Sequence, residues 1–168
     1  MKKLFALSFV LLFASTAFAQ SNDDSIVRWN SIVGVITAPG VDNPVAGISS
    51  GTLPWTVTAG TASVDMDAGT ASFFVNGLVL NGGNASGTPG PIQQVVGTLV
   101  CNPGMSNQSV HDTPTTPLDE QGNADFKGSI GTIPSLCSNP IFLIRLANPT
   151  AGRWLATGTV RVTRNPRS

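Results

Sequence analysis

Residues 123–130 read NADFKGSI, and a single alternation runs through them. Ala124, Phe126, Gly128 and Ile130 share one face of an extended chain, and Asn123, Asp125, Lys127 and Ser129 share the other. Successive side chains of a strand point to opposite faces, so this period of two marks a half-buried β-strand. The same period returns in the last strand. Trp154, Ala156, Gly158, Val160 and Val162 are expected inward there, with Arg153, Thr157, Thr159, Arg161 and Thr163 outward. It returns again before the first cysteine, where Val95, Gly97, Leu99 and Cys101 share the inward parity.

Turn chemistry separates these blocks. In SVDMDAGTASFFV, residues 63–75, Val64 and Met66 alternate with Asp65 and Asp67. Asp67-Ala68-Gly69-Thr70 then turns, with Gly69 supplying the positive φ that such a turn requires. A second hairpin is expected between Ile141–Ala147 and Arg153–Thr163. Further strands are expected near Ile26–Thr37, Val45–Ser49, Trp55–Thr58 and Ile92–Cys101. About eight short strands with proline-rich joints describe an all-β chain folded as one antiparallel β-sandwich of Ig-like or Greek-key type.

Composition points the same way. Charged residues make up 11% of the chain, below the ~25% of an ordinary globular domain. Glu120 is its one glutamate, and Lys127 its one lysine beyond Lys3. Solvated helix faces need Glu and Lys at three- and four-residue spacing, and this inventory cannot supply them.

Residues 1–19 are expected to be a signal peptide. Lys2 and Lys3 precede an apolar run from Leu4 to Phe13, and Ala17-Phe18-Ala19 gives the small-x-small cleavage pattern. That run is too short to span a bilayer as a helix. The remaining chain, 20–168, reads as a single exported domain, extracellular or periplasmic. Without Lys2 and Lys3 its nine acidic residues outnumber the basic ones by two, so no basic field is available for nucleic acid. Arg161, Arg164 and Arg167 are read as a solvated strand end. Cys101 and Cys137, an even pair in an oxidising compartment, are expected to form a disulfide. It would pin the joint Asn102–Gly122, whose Pro103, Pro114 and Pro117 favour loose, extended backbone.

Candidate chemistry is sparse. The loop Asn81–Gly90, NGGNASGTPG, resembles a phosphate loop only in its glycines. Pro89, Gly90, Pro91 and a β-branched run follow it where a phosphate loop needs a helix, and no lysine lies near. It reads as a strand connection and, with the joint 102–122, as a possible binding surface. Gly47-Ile48-Ser49-Ser50-Gly51 matches a nucleophile-elbow pattern, for which His111 beside Asp112 would be the base, but Pro54 opposes the helix that motif requires. Asp65 and Asp67 resemble the opening of a calcium loop that lacks its closing glutamate. Cys101, Met105 and His111 make too thin a ligand set for copper. No catalytic, cofactor or metal residues are therefore assigned. Asn84-Ala85-Ser86 and Asn107-Gln108-Ser109 are glycosylation acceptors wherever a host modifies them.

The blocks TASVDMDAGTASFFVNGL, VVGTLVCN, TPLDEQGNADFKGSIG and FLIRLANPTAGRWLATGTVRV follow one another in an order that resembles the CHRD domain, the exported β-sandwich module named after chordin. They cover Thr61 to Val162. The resemblance implies a β-sandwich and no transferable activity. Where that family carries histidines, this chain has Leu78–Gly83 and Ile144–Ala147, so a role for those histidines does not carry over. The segment GTLPW, 51–55, and the paired cysteines also resemble uncharacterised exported bacterial proteins.

The chain is thus expected to be an exported, non-enzymatic β-sandwich protein with a structural, adhesive or contact role, its partner a protein or a glycan. The alternatives are a serine hydrolase using Ser49, or a subunit of a larger exported assembly that would show an apolar patch around Leu155 and Ile141–Leu146. N-terminal sequencing of protein recovered outside the cytoplasm should begin at Gln20. Recovery of an intact Met1 there would overturn the export reading.

Overall fold

The computed structural model describes residues 25–147 and 151–163. The expected signal peptide, the tip of the last hairpin, Arg164 and Arg167 lie outside the described residues. Within them the chain is all-β. The strands are β1 (Ile26–Gly34), β2 (Trp55–Thr56), β3 (Ala59–Asp65), β4 (Thr70–Asn76), β5 (Val79–Leu80), β6 (Gln94–Cys101), β7 (Ser109–Asp112), β8 (Thr116–Pro117), β9 (Ala124–Ser129), β10 (Ile141–Ala147) and β11 (Ala151–Thr163).

Nine of them make one antiparallel sheet in the order β7-β6-β10-β11-β1-β3-β4-β9, with β8 also on β6; β2 and β5 pair separately. The neighbours β6–β10, β11–β1 and β4–β9 join strands far apart in sequence. In the sheet order β4 and β10 are four positions apart, about 19 Å if the sheet were flat. Yet the rings of Phe73 on β4 and Phe142 on β10 are 5.9 Å apart. The sheet therefore curls over, and its two halves face each other as a sandwich.

The hairpin β3–β4 forms as the sequence requires. Asp65 pairs with Thr70, Gly69 takes a φ of +59°, and the alternation buries Ala62, Val64, Ala71, Phe73 and Val75. Across the core Trp29 meets Phe142 at 5.5 Å, and Phe73 stacks on Phe126 at 5.8 Å. Two glycines make room for these rings. A Cβ on Gly97 would lie 2.7 Å from Phe73 and 2.8 Å from Phe142, and one on Gly158 would lie 2.7 Å from Trp29.

Several expectations need correction. Val160 and Val162 are exposed, at 65% and 41%. Val160 has a φ of +51°, rare for a β-branched residue, and breaks the alternation opposite Asn30. Beyond Thr157, moreover, β11 keeps β1 as its neighbour but has lost β10, so there is less structure to cover that end.

Residues 45–49 are not a strand. Val45 and Ile48 close a tight turn through Ala46 and Gly47, both at positive φ. This turn belongs to a strap that leaves β1 at Val35. At one end the strap is tied to β11, where Trp154 N donates to Ser49 O and Trp154 Nε1 donates to Asn43 O. At the other, Gln108 Nε2 donates to Ala46 O at 2.9 Å, just before β7. Strands β10 and β6 lie between these two anchors, so the strap crosses their outer face. That crossing explains why Val96, Val100 and Leu143, which face away from Phe142, are as buried as the inward residues.

The joint 102–122 is not a hydrogen-bond-poor excursion. It returns along the outer edge of β6 as β7 and β8, with Thr113 N donating to Gly97 O and Leu118 N donating to Gln93 O. Proline leaves its neighbours free to make such bonds, and Pro117 occupies an edge, where its missing N–H is tolerated.

Cys101 and Cys137 are joined by a disulfide, with their Cα atoms 4.7 Å apart. A second anchor lies beside it. Asn102 is buried, adopts a φ of +53°, donates from Nδ2 to Leu136 O at 2.9 Å and accepts from Ser138 N at 2.8 Å. The segment around Cys137 is thus held twice. Reduction should lower stability by about 2–4 kcal/mol, and Asn102→Ala by about 1–3 kcal/mol through the unpaired Leu136 and Ser138 groups. Denaturant melts with and without reductant check both, and a curve indifferent to reductant would contradict the first.

Candidate functional site

The loop Asn81–Gly90 does not open toward a ligand. It folds back on its own base. Gly87 N donates to Leu80 O, Leu80 N to Thr88 O, Ser86 N to Gly83 O and Thr88 N to Ala85 O. Those amides are spent internally, and a strand follows rather than a helix, so the phosphate arrangement is not built. The fold-back buries Pro89 and carries Pro89, Pro91 and Ile92 over the segment GTLPW.

Between them lies an apolar cavity of about 210 Å³, with Trp55, Leu80, Leu146 and Leu155 in its walls and Leu53 and Arg153 among its lining. Each wall has a sequence cause. Trp55 is held in β2, whose N–H bonds to Val35 O, and Leu80 is held in β5 opposite it. Gly40 N donates to Thr52 O, which brings the turn after Ile36 to the same end of the sandwich. Ile36, Val41 and Leu53 are exposed there, Ile36 by 90%.

Beside the cavity Ser49, Ser50, Asp42 and Arg153 form one polar network. Asp42 Oδ1 accepts from Ser50 N at 2.7 Å, and Arg153 Nη1 donates to Ser50 O at 2.8 Å and stands 3.9 Å from Asp42. The Ser49 hydroxyl bonds the Asp42 carboxyl. That bond, the Ser50 amide and the Arg153 charge hold the Asp42 pKa below the usual carboxylate value. Ser50 is fully buried and completely partnered, its hydroxyl accepting from Asn43 N at 2.9 Å. GISSG is therefore a strap anchor, with Ser49 O on Trp154 N.

The other sequence candidates are dispersed. His111 Nε2 is 3.0 Å from Ser109 Oγ. Asp112 accepts from Thr98 Oγ1 at 2.6 Å and faces Arg145 at 3.4 Å. No hydrogen bond among the described residues brings Ser49 and His111 together. Asp65 caps its own hairpin turn, accepting from Asp67 N, Ala68 N and Ser25 Oγ, while Asp67 is exposed. Among the described residues no three His, Cys, Asp or Glu side chains converge as metal ligands. The face around Leu155 and β10 that an assembly subunit would expose is buried instead, with Phe142, Leu143, Ile144 and Leu155 at most 1% exposed. Asn84 and Asn107 are both exposed.

Comparison with known proteins finds no family model, no curated protein and no solved structure that matches this chain.

Three turns depend on ionised carboxylates. Besides Asp42, the pKa of Asp65 is lowered first by the Ala68 amide and that of Asp119 first by the Asn123 amide. A carboxyl whose folded pKa is depressed stabilises the fold fully above its unfolded pKa, near 3.8, and loses that contribution as pH falls toward the folded value. Stability should therefore decline below about pH 4. Asp119→Asn should melt lower than the native chain at neutral pH, with the gap closing in acid. A gap that stays constant across the acid range would remove Asp119 from this account.

Proposed function

We propose that this chain is an exported, non-enzymatic β-sandwich module that contacts a partner through the loop end just described. The observation that carries the reading is the preformed apolar cavity beneath GTLPW and the folded-back loop, with Leu53, Val41 and Ile36 exposed around it. Exposed apolar side chains gathered at one end of a small domain mark a contact surface. Here the surrounding backbone is fixed by hydrogen bonds before any partner arrives, which lowers the ordering cost of binding.

Export is supported by the charged, apolar and small-residue succession of residues 1–19 and by the disulfide, which suits an oxidising compartment. No helix among the described residues is long and apolar enough to cross a membrane. The order of blocks from Thr61 to Val162 supports a divergent, chordin-type domain. The serine-hydrolase alternative draws nothing from the arrangement of Ser49, which is bonded to Asp42, or of His111, which is bonded to Ser109.

A photo-crosslinking residue at position 36 of the full exported chain should give a discrete adduct in its native surroundings. The same residue at exposed Ser135, elsewhere on the molecule, should not. Leu53→Asp should abolish the adduct without lowering the melting temperature by more than about 1 kcal/mol equivalent, as for other surface changes. An adduct that survives Leu53→Asp would show that the loop end is not the contact surface.

A further inference from the structure

A second surface lies away from that end, on the outer face of β4 and β9. The alternation that buries Phe73 and Val75 turns Phe74 outward. It is half-buried, takes no part in the core, and stands opposite Asp125 on β9. It is an aromatic ring on the otherwise polar outer face of this part of the sheet. Phe74 lines a cleft of about 640 Å³ between β4–β9 and the edge segment running from β8 to the Asp119–Asn123 turn. That volume falls within the range of small-ligand sites, roughly 300–1,000 Å³.

The cleft combines two kinds of wall. Phe74, Pro117, Leu118 and Ala124 are apolar. Asn76 and Asp125 are polar, exposed, and have no side-chain hydrogen bond or ion pair among the described residues. The other carboxylate in the lining is already engaged. Asp119 accepts from Asn123 N at 2.8 Å, Gln121 N at 2.9 Å and Asn123 Nδ2 at 3.0 Å.

We infer that the Phe74 cleft is a saccharide-binding site for gluco-configured pyranose rings, which would place an apolar C–H face on Phe74 and hydroxyls on Asp125 and Asn76. Among the described residues no cation lines the cleft, which argues against an anionic ligand. Asp125 is the one carboxylate left open, and Lys127 lies two residues along the same outward face of β9, which weakens the local pull on a cation. Phenylalanine is also a weaker partner for a cation than tryptophan. A neutral ligand with an apolar face and hydroxyls around its rim fits these walls. A carboxylate and an amide supply the acceptors and donors such hydroxyls need. The inference does not rest on the loop end, which is a different surface.

The test is titration of the isotope-labelled full chain with cellohexaose, chitohexaose and, as a cationic probe, hexalysine, followed by amide chemical shifts. The expected result is saturable binding of at least one saccharide, with shifts centred on residues 74–76 and 123–125. Phe74→Ala should weaken it about tenfold or more, the scale of losing one stacked ring, and Asp125→Ala should weaken it severalfold. Leu53→Asp should leave it unchanged. Because Phe74 and Asp125 face outward, both variants should keep native amide dispersion, and Asp125→Ala alone decides the matter if Phe74→Ala does not. Failure of both saccharides to bind, binding indifferent to Phe74 and Asp125, or capture of hexalysine alone would overturn the inference.

Discussion

Four aromatic rings cross the interior, Trp29 to Phe142 to Phe73 to Phe126, with centroid separations of 5.5, 5.9 and 5.8 Å. They come from β1, β10, β4 and β9; β4 and β9 are neighbours, but β10 and β4 lie four positions apart in the sheet, so the Phe142–Phe73 contact needs the curl. The contact exists because the backbone beneath the rings is bare. Gly97 and Gly158 carry no side chain at the points where Phe73, Phe142 and Trp29 come closest. Aromatic pairs at such spacings add to the area they bury, so the curl of the sheet and the ring contacts support each other. Every other feature is placed by that curl.

One consequence is a central pair of strands buried on both faces. The ring side of β6 and β10 is the core, and the strap from Val35 to Gly51 covers the other side. The strap is apolar only in part, through Val45, Ala46 and Ile48, and depends on polar anchors at both ends. Asp42, Ser50 and Arg153 hold one end, and Gln108 holds the other. Ser50, buried with every bond satisfied, is thus part of the architecture, while Ser49, the serine at the centre of the nucleophile-like pattern, is half-buried and bonds the Asp42 carboxyl. The GTLPW segment follows directly from this anchor, so the same network that holds the strap also shapes the mouth of the loop-end cavity.

The edges of the sheet are handled differently. On the β6 side the joint 102–117 pairs as β7 and β8, with Pro117 closing the run. On the β9 side the turn Asp119–Asn123, fixed by the Asp119 carboxylate, carries the chain from one edge to the other. The Phe74 cleft is the gap left between those two edges. Its existence follows from the sheet curling without closing fully, whereas the loop-end cavity lies between GTLPW, the 89–92 segment and strands β10 and β11.

The all-β class, the Asp65–Thr70 hairpin, the pairing of two cysteines and the inward parity of β4, β6 and β9 were legible in the residues, because alternation, turn chemistry and cysteine count are local properties. The Asn81–Gly90 loop was also legible as a connection, since no helix could follow Pro89 and Pro91. What could not be read was which second faces would be covered. Val100 is buried because the strap covers it, and Val162 is exposed because the break at Val160 reverses the face, setting Val162 opposite outward Arg28. The anchoring role of Asn102, the pairing of the proline-rich joint and the separation of Ser49 from His111 were equally out of reach. The Asn102 contacts join residues 34 and 36 positions apart, and the joint pairs along the edge of β6, neither of which alternation or turn chemistry reveals. Local periodicity fixed the strands; long-range closure around the aromatic rings decided the surfaces.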